Sequence, residues 1–169
     1  VKMAKEISDF MDITPDRQRM DSLMVAANIR NLSLLELFYT CVTNLCKIMD
    51  ERGTKIPDEQ HHYIEKDDYN KCTYYNRDMD ATERTLVVMK DADILIKICD
   101  STGDFDDTSE YQLLIRLLKE RTIVDGDGSR RLRQKEEVEN PSEVLLNPSD
   151  PEATFRYKAG GRHLGYVGN

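Results

Sequence analysis

Asp21 is an acidic residue inside an otherwise apolar stretch, and it is the first position that suggests chemistry. Residues 20–29 have the sequence MDSLMVAANI, and Arg17 and Arg19 lie just upstream. A carboxylate in such a run must face water, pair with a cation or bind a metal ion, because a buried and unpaired charge is strongly unfavourable. The pattern by itself leaves these three roles open.

A second candidate is the basic cluster within residues 125–136, which have the sequence DGDGSRRLRQKE. Its cations are Arg130, Arg131, Arg133 and Lys135. Such clusters usually form solvated surface, but they are also how proteins bind phosphate groups. The preceding Asp125 and Asp127 have the spacing of a calcium loop, yet Arg130 stands where that loop requires glycine. The segment is therefore predicted to be a polar turn between two strands.

The other reactive residue types do not form a recognisable site. The cysteines are Cys41, Cys46, Cys72 and Cys99. No two of them have C-x-x-C spacing, so reduced thiols are predicted. His61 and His62 are adjacent and would point in different directions, which makes them a poor pair of metal ligands. The sequence contains no G-x-S-x-G motif, P-loop or dinucleotide-binding glycine pattern.

Three capping boxes predict three helices, because each pairs a capping side chain with a glutamate three residues later. The first is SLLE at 33–36, and Gly53 provides the stop of its helix. The second is DATE at 80–83, with a predicted buried side of Val87, Ile94, Leu95 and Ile98. The third is DTSE at 107–110, whose helix carries the apolar residues Tyr111, Leu114, Ile115 and Leu118.

The segments outside these helices are more polar or more extended. Residues 61–78, polar and rich in tyrosine, are predicted to be irregular or to form short helical turns. Residues 1–12 have the apolar spacing of an amphipathic helix. Residues 19–29 favour a strand, although Ala26 and Ala27 leave a helix possible there.

The last part of the chain has turn and strand signals. Residues 140–151, NPSEVLLNPSDP, contain three prolines and are predicted to be a loop. Residues 153–169 alternate apolar and polar side chains around a turn at Gly160 and Gly161, which predicts a hairpin. The apolar positions of this hairpin are Phe155 and Tyr157 before the turn, and Leu164, Tyr166 and Val167 after it.

Length, composition and charge limit the classes of protein to which the chain can belong. The 169 residues, 39% hydrophobic and 33% charged, fit one domain or one domain with a large insertion. There is no signal peptide and no apolar run near the roughly 20 residues of a membrane span, so a cytoplasmic protein without a membrane partner is predicted. The net charge of −8 argues against strong DNA binding by the chain as a whole. Any nucleic-acid contact is therefore expected at local basic clusters.

Three stretches of the chain, in order, resemble bacterial insertion-sequence transposases with a DDE catalytic domain. The first, QRMDSLMVAANIRNLSLLELFYTCVTNL at 18–45, is similar to a family segment in which an RMDS-x-M-(I/V)-A-x-N-I strand precedes a helix that begins LSRLEL. The second, SEYQLLIRLLKERTIVDGDG at 109–128, resembles a later family segment. The third, NPSDPEATFRYKAGGRHLGYVGN at 147–169, is close to NPSDPDAT-x-R-x-KAGK-x-x-x-GYVANV.

The resemblance implies an RNase H-like core in which two aspartates and a glutamate hold two divalent ions. In that chemistry one ion activates the attacking oxygen and the other stabilises the leaving oxygen of a phosphodiester. Asp21 matches the first aspartate, so it is the implied catalytic residue and metal ligand, and oxygen ligands suit Mg²⁺ or Mn²⁺. The other two acids of the family come after the GYVAN region. The chain by itself is therefore predicted to be inactive and not to bind the metal tightly.

The resulting prediction is a predominantly α-helical α+β fold with a partial RNase H-like sheet. Residues 1–31 would form an N-terminal helix and the first core strand, and residues 32–122 a helical insertion. Residues 123–169 would form a loop and a β-hairpin that returns to the core. The chain begins at Val1 rather than Met and stops within a strand-like pattern, so an internal piece of a longer transposase is expected.

DNA is the implied partner, which the parent protein would cut and join. The candidate phosphate contacts are Arg17, Arg19, Arg130, Arg131, Arg133, Lys158 and Arg162. An incomplete sheet would leave an open strand edge, which favours a homodimer. The alternative is a non-catalytic helical module that packs against another part of a transposase or a second copy, with Asp21 purely structural.

Overall fold

In the computed structural model, the described part of the chain comprises residues 32–75, 79–141, 143–158 and 161–165. It is a predominantly helical α+β structure, as predicted. The long helices are α1 (Leu34–Glu51), α2 (Ala81–Thr102) and α3 (Ser109–Arg121). The strands are β1 (Thr122–Val124), β2 (Arg130–Leu132), β3 (Thr154–Lys158) and β4 (Gly161–Gly165). Short helical turns occupy Asp58–Ile64, Asp68–Asn70, Lys71–Tyr75 and Lys135–Glu137.

Helix α1 begins at the predicted capping box. The Glu36 amide donates to Ser33 Oγ at 3.3 Å, and the Ser33 amide donates to Glu36 Oε2 at 2.8 Å. The helix ends at Glu51, and Gly53 adopts a φ of 70°, a left-handed conformation that glycine reaches without strain. Both the start and the stop predicted for this helix are confirmed.

Helix α2 has its predicted capping box, but its buried side differs from the predicted one. The Glu83 amide donates to Asp80 Oδ1 at 2.8 Å, and the Asp80 amide to Glu83 Oε2 at 3.2 Å. Val87 and Ile94, predicted to be buried, are 45% and 39% exposed. The residues that are buried are Thr85, Val88, Met89, Ala92, Leu95, Ile96 and Cys99. Apolar residues lie on more than one face of α2, so contact with α1 selects the buried face.

Helix α3 lacks the capping box predicted at 107–110. The helix begins at Ser109, and Thr108, the preceding residue, makes no side-chain capping bond. The Thr108 hydroxyl donates instead to the carbonyl of the buried Phe105 at 2.7 Å. Of the apolar residues that the sequence places on this helix, Ile115 is 37% exposed. The residues that α3 buries are Leu114, Leu117 and Leu118.

Helix α1 lies at the centre of the hydrophobic core. Its fully buried side chains include Phe38, Val42, Leu45, Cys46 and Met49. The helix contacts α2, α3 and the turn Asp58–Ile64. Leu145 joins the same core cluster from the proline-containing segment, which was predicted only as a loop. The three long helices supply most of this cluster, so they form the body against which the other segments lie.

The described strands form two separate antiparallel pairs. Strands β1 and β2 flank the DGDGS turn as predicted, with Val124 opposite Arg130. Strands β3 and β4 form the predicted second hairpin, with Lys158 opposite Gly161. Gly161 was predicted to lie in the turn but begins β4, because its backbone pairs with that of Lys158.

Several predicted features lie outside the described residues. They are the helix at 1–12, the strand at 19–29, and the positions of Tyr166 and Val167.

Among the helices that are described, none has both the length and the apolar content required to cross a membrane. The segment 58–75 is a series of short helical turns, as predicted for this tyrosine-rich region.

Replacing Leu95 with alanine is expected to lower the free energy of unfolding by about 2–5 kcal/mol, because Leu95 is fully buried and the shorter side chain leaves a cavity. The neighbouring Ile94→Ala variant is the matched control, and its free energy of unfolding should change by about 0.5 kcal/mol or less. Urea titrations followed by circular dichroism measure both. Equal losses in the two variants would contradict the burial pattern of α2.

Candidate functional site

The residues predicted to form a site fall into three groups in the structure. Asp21, Arg17 and Arg19 lie outside the described residues, so the catalytic and metal-binding roles of Asp21 stay predictions. Lys158 ends β3 and Arg162 lies near the start of β4, so the strand register brings both to the same end of one hairpin. The third group is the arginine cluster of β2 and the residue that follows it.

Arg130 connects the first hairpin to α2. Its guanidinium contacts both carboxylate oxygens of Asp93 at 2.9–3.0 Å and donates to Thr122 Oγ1 at 2.9 Å. The Arg130 and Asp93 side chains are 25% and 29% exposed, so water screens this pair only in part. A bidentate guanidinium–carboxylate contact of this kind is one of the stronger polar interactions in proteins. Arg130 therefore has a structural role in holding the hairpin on the helix.

Arg131 and Arg133 connect the same hairpin to the turn Lys135–Glu137. Arg131 donates to both carboxylate oxygens of Glu137 at 2.8 and 2.9 Å, and it pairs with Asp125 at 3.3 Å. The hydrogen bonds from Arg131 lower the pKa of Glu137 to about 2. Arg133 donates to the carbonyls of Thr122 at 3.1 Å and Glu137 at 2.9 Å. A phosphate at this cluster would have to compete with these contacts.

The turn that has calcium-like spacing is organised by its own side chains. Asp127 Oδ1 accepts hydrogen bonds from the Ser129 amide at 2.9 Å and the Ser129 hydroxyl at 2.7 Å. Asp125 is the partner of Arg131. These contacts support the interpretation as a polar turn. Over the described ranges, no group of three or more His, Cys, Asp or Glu side chains has the arrangement of a metal site.

A cleft of about 390 Å³ lies beside Arg133, between α3 and residues 138–144. Its charged residues are Arg116, Lys119, Arg133, Glu120, Glu139 and Glu143. Arg116 contacts Glu120 at 2.6 Å and donates to the carbonyls of Pro151 at 3.1 Å and Glu143 at 2.9 Å. The charges of the cleft balance, and Arg116 uses its donors to hold the proline-containing loop on α3. The contacts of Arg116 in this cleft therefore stabilise the fold.

Glu36 is the centre of a hydrogen-bond network that sequence reasoning missed. It is 7% exposed, and it accepts hydrogen bonds from the Tyr69 hydroxyl at 3.2 Å, from the Tyr74 hydroxyl and from the Ser33 amide. Burial acts to raise the pKa of Glu36, but the hydrogen bonds from Tyr74, Ser33 and Tyr69 outweigh it and lower the pKa to about 2. The capping box was visible in the sequence, whereas tyrosines 33 and 38 residues away gave no signal.

Asp68 extends this network along the same face of α1. It accepts a hydrogen bond from the Tyr39 hydroxyl, and its carboxylate lies 2.7 Å from His62 Nδ1. Burial and the hydrogen bond to Asp68 both raise the pKa of Tyr39. The phenol is therefore neutral at physiological pH and acts as a donor. His62, which the sequence gave as a surface residue, is half-buried and contacts this acid.

Asp91 anchors the turn Asp58–Ile64 to α2. It accepts hydrogen bonds from the Tyr63 hydroxyl and from Gln60 Nε2, both at 2.7 Å. Burial and the bond to Asp91 raise the pKa of Tyr63, which is 2% exposed. The Tyr63 ring also packs on Tyr39, with centroids 5.0 Å apart. Together these contacts hold the segment 58–75 on α1 and α2, which is a structural function.

The cysteines are free thiols, in agreement with the sequence prediction. Burial raises the pKa of Cys41 to about 12, and burial together with nearby Asp91 raises the pKa of Cys46 to about 12. Burial, with a smaller effect of Asp100, raises the pKa of Cys99 to about 11. A nucleophilic cysteine needs a thiolate at neutral pH, so these three residues are suited to packing.

Glu36→Gln is expected to flatten the acid dependence of stability. The Glu36 carboxyl has a pKa of about 2 in the folded protein against an ordinary value of 4.5, so its contribution is present above pH 4.5 and is lost as the pH falls towards 2. In thermal melts across that range, the wild type should lose more stability than Glu36→Gln. Glu51→Gln, an exposed change on the same helix, is the control and should follow the wild type. A Glu36→Gln curve parallel to the wild-type curve would contradict this role.

Comparisons with known proteins gave no match: no family model, no curated protein and no solved structure matches the chain.

Proposed function

We propose that this chain is part of a DDE transposase of the insertion-sequence type, comprising the first strand of its RNase H-like core, a helical insertion and the following hairpin. The observation that carries the proposal is the order of three family-like stretches at 18–45, 109–128 and 147–169. Their common order along nearly the whole chain is far more specific than one short motif. The parent protein would cleave and join DNA strands in the cytoplasm.

The arrangement of the described helices supports this proposal. Helices α1, α2 and α3 share one core cluster, and the β3–β4 hairpin follows them in the chain. An insertion between two strands of a sheet must fold without interrupting that sheet. It therefore requires a core of its own, as these helices have. In the proposal, residues 19–29 pair with the β3–β4 hairpin, although the position of this segment lies outside the described residues.

Asp21 is the proposed catalytic residue of this chain. In the parent it would be the first ligand of Mg²⁺ or Mn²⁺, hard cations that prefer carboxylate oxygens. Bound ions would activate a water or a 3′-hydroxyl and stabilise the leaving oxygen. In the family that the chain resembles, the second aspartate and the glutamate follow the GYVAN region, so they are proposed to lie in the parent beyond this chain. By itself the chain is proposed to be inactive.

Asp21→Asn in the full reading frame that contains this chain is expected to reduce cleavage of the element's DNA ends about 1,000-fold, because an amide is a poor ligand for a catalytic cation. Denaturing gels of end-labelled DNA in the presence of Mg²⁺ measure the cleavage. Asp16→Asn, a nearby acid outside the family-like motif, is the matched control and should retain activity. Undiminished cleavage by Asp21→Asn would refute the catalytic assignment.

This chain is also proposed to form a homodimer, because a sheet that lacks strands presents an open strand edge. Light scattering of this chain at high concentration is expected to show a dimer. A strictly monomeric mass would remove the proposed association through that edge.

A non-catalytic role is the second candidate, because a helical body with its own core can pack against a partner without taking part in catalysis. In this case the helical body would pack against another part of a transposase, and Asp21 would only stabilise the fold. Asp21→Asn would then lower thermal stability while leaving DNA cleavage by the parent unchanged. The two candidates therefore give opposite results in the same variant.

A further inference from the structure

A polar groove of about 470 Å³ lies between α1 and the segment 63–69, away from the arginine cluster. Helix α1 contributes Thr43, Asn44 and Lys47, and the opposite wall contributes Tyr63 and Lys66. Lys47 and Lys66 are both exposed, and they come from different elements of the structure. The groove therefore places two cations on either side of a concave surface.

Three polar side chains that line this groove are available to a ligand. Within the described part of the chain, Asn44, Lys47 and Lys66 make no side-chain hydrogen bond or ion pair. The Thr43 hydroxyl is buried and interacts with the Tyr39 hydroxyl, so it is not among the groups that a ligand can contact. A ligand would therefore meet one amide and two ammonium groups.

The floor of the groove is rigid, because its aromatic groups already have partners. The Tyr63 hydroxyl is bonded to Asp91 and the Tyr39 hydroxyl to Asp68. Both rings are almost fully buried, so they support the groove and offer little area for stacking. Binding would therefore depend on the donors of α1 and on the two lysines.

The charge of the groove is opposite to that of the whole chain. Its ionisable groups that are free to face a ligand are Lys47, Lys66 and one acid, Glu65, whereas the whole chain carries −8. Two ammonium groups and an amide supply hydrogen-bond donors of the kind that phosphoryl oxygens accept. The arginines predicted from the sequence as phosphate contacts are engaged with Asp93, Glu137 and Asp125.

We propose that this groove binds a phosphodiester group of DNA. Lys47 and Lys66 would neutralise the phosphate, and Asn44 Nδ2 would donate to one of its oxygens. The inference rests on the proposed function for the identity of the ligand as DNA, and it assigns that contact to residues outside the basic cluster. Free phosphate presents the same chemistry, so the experiment has to separate the two sources.

The test is the salt dependence of duplex DNA binding by the whole chain, measured by fluorescence anisotropy. The Lys47→Gln/Lys66→Gln double variant should lose about tenfold or more in affinity at low salt, and the slope of log affinity against log salt should decrease by about 2. The control is Lys55→Gln/Lys71→Gln, which removes the same charge from exposed lysines outside the groove. This control should bind DNA much more tightly than the groove variant, and melting temperatures should show that both variants fold.

A neutral variant separates the groove from a general effect of charge. Asn44→Ala should weaken DNA binding several-fold with an unchanged salt slope, because it removes a donor and no charge. Equal losses in the two lysine double variants, or wild-type protein that binds no duplex at low salt, would overturn the proposal. Competition by inorganic phosphate below about 1 mM at constant ionic strength would reassign the groove to free phosphate and overturn the assignment to DNA.

The same variants in the full reading frame distinguish this inference from the proposed function. Normal cleavage by Asp21→Asn, together with weak DNA binding by Lys47→Gln/Lys66→Gln, would refute the transposase assignment and retain the groove. Loss of cleavage in Asp21→Asn, together with unchanged DNA binding by the lysine variant, would refute the groove and retain the transposase assignment.

Discussion

Burial of α1 on several sides at once is the constraint on which the rest of the structure depends. Leu37 and Cys46 are both almost fully buried although they lie on opposite sides of α1, so no single neighbouring helix could cover both. Helices α2 and α3 and the turn Asp58–Ile64 each cover a part of this surface. Removal of apolar surface from water is the main favourable term in folding, so these elements take their places relative to α1.

The same burial accounts for the polar contacts of the short turns. Glu36 is buried within the first turn of α1 and needs hydrogen-bond donors, which Tyr69 and Tyr74 provide. The turns of segment 58–75 are too short to be stable as isolated helices. Their hydrogen bonds to Glu36 and Asp91, and the contacts of Asp68 with Tyr39 and His62, hold them in place. A tyrosine-rich segment with no periodic pattern thus acquires a defined structure from its neighbours.

The basic cluster shows that the density of cations along a sequence does not establish their availability. Arg130, Arg131 and Arg133 lie within four residues of the chain, yet each is engaged with a different set of acceptors. Arginine forms bidentate contacts with carboxylates readily, and this acidic chain offers many of them. Isolated lysines on a concave surface, such as Lys47 and Lys66, carry no such contacts and are inconspicuous in the sequence.

The sequence by itself determined the features that depend on neighbouring residues. The start and stop of α1, the cap of α2 and both hairpins follow from contacts over a few residues, so local patterns were sufficient to predict them. The same reasoning failed at 107–110, where the Thr108 hydroxyl bonds to the nearby Phe105 carbonyl instead of capping α3. The importance of Asp21 came from the resemblance, because its local pattern left three roles open.

Only the tertiary structure decided which side of α2 is buried, which partners the arginines have and where the groove lies. The exposure of Val87 and Ile94 depends on where α1 lies against a helix with more than one apolar face. Arg130 and Asp93 are 37 residues apart in the chain, and Tyr74 and Glu36 are 38 apart. Such contacts exist only after the helices pack, because no local interaction relates residues at that separation.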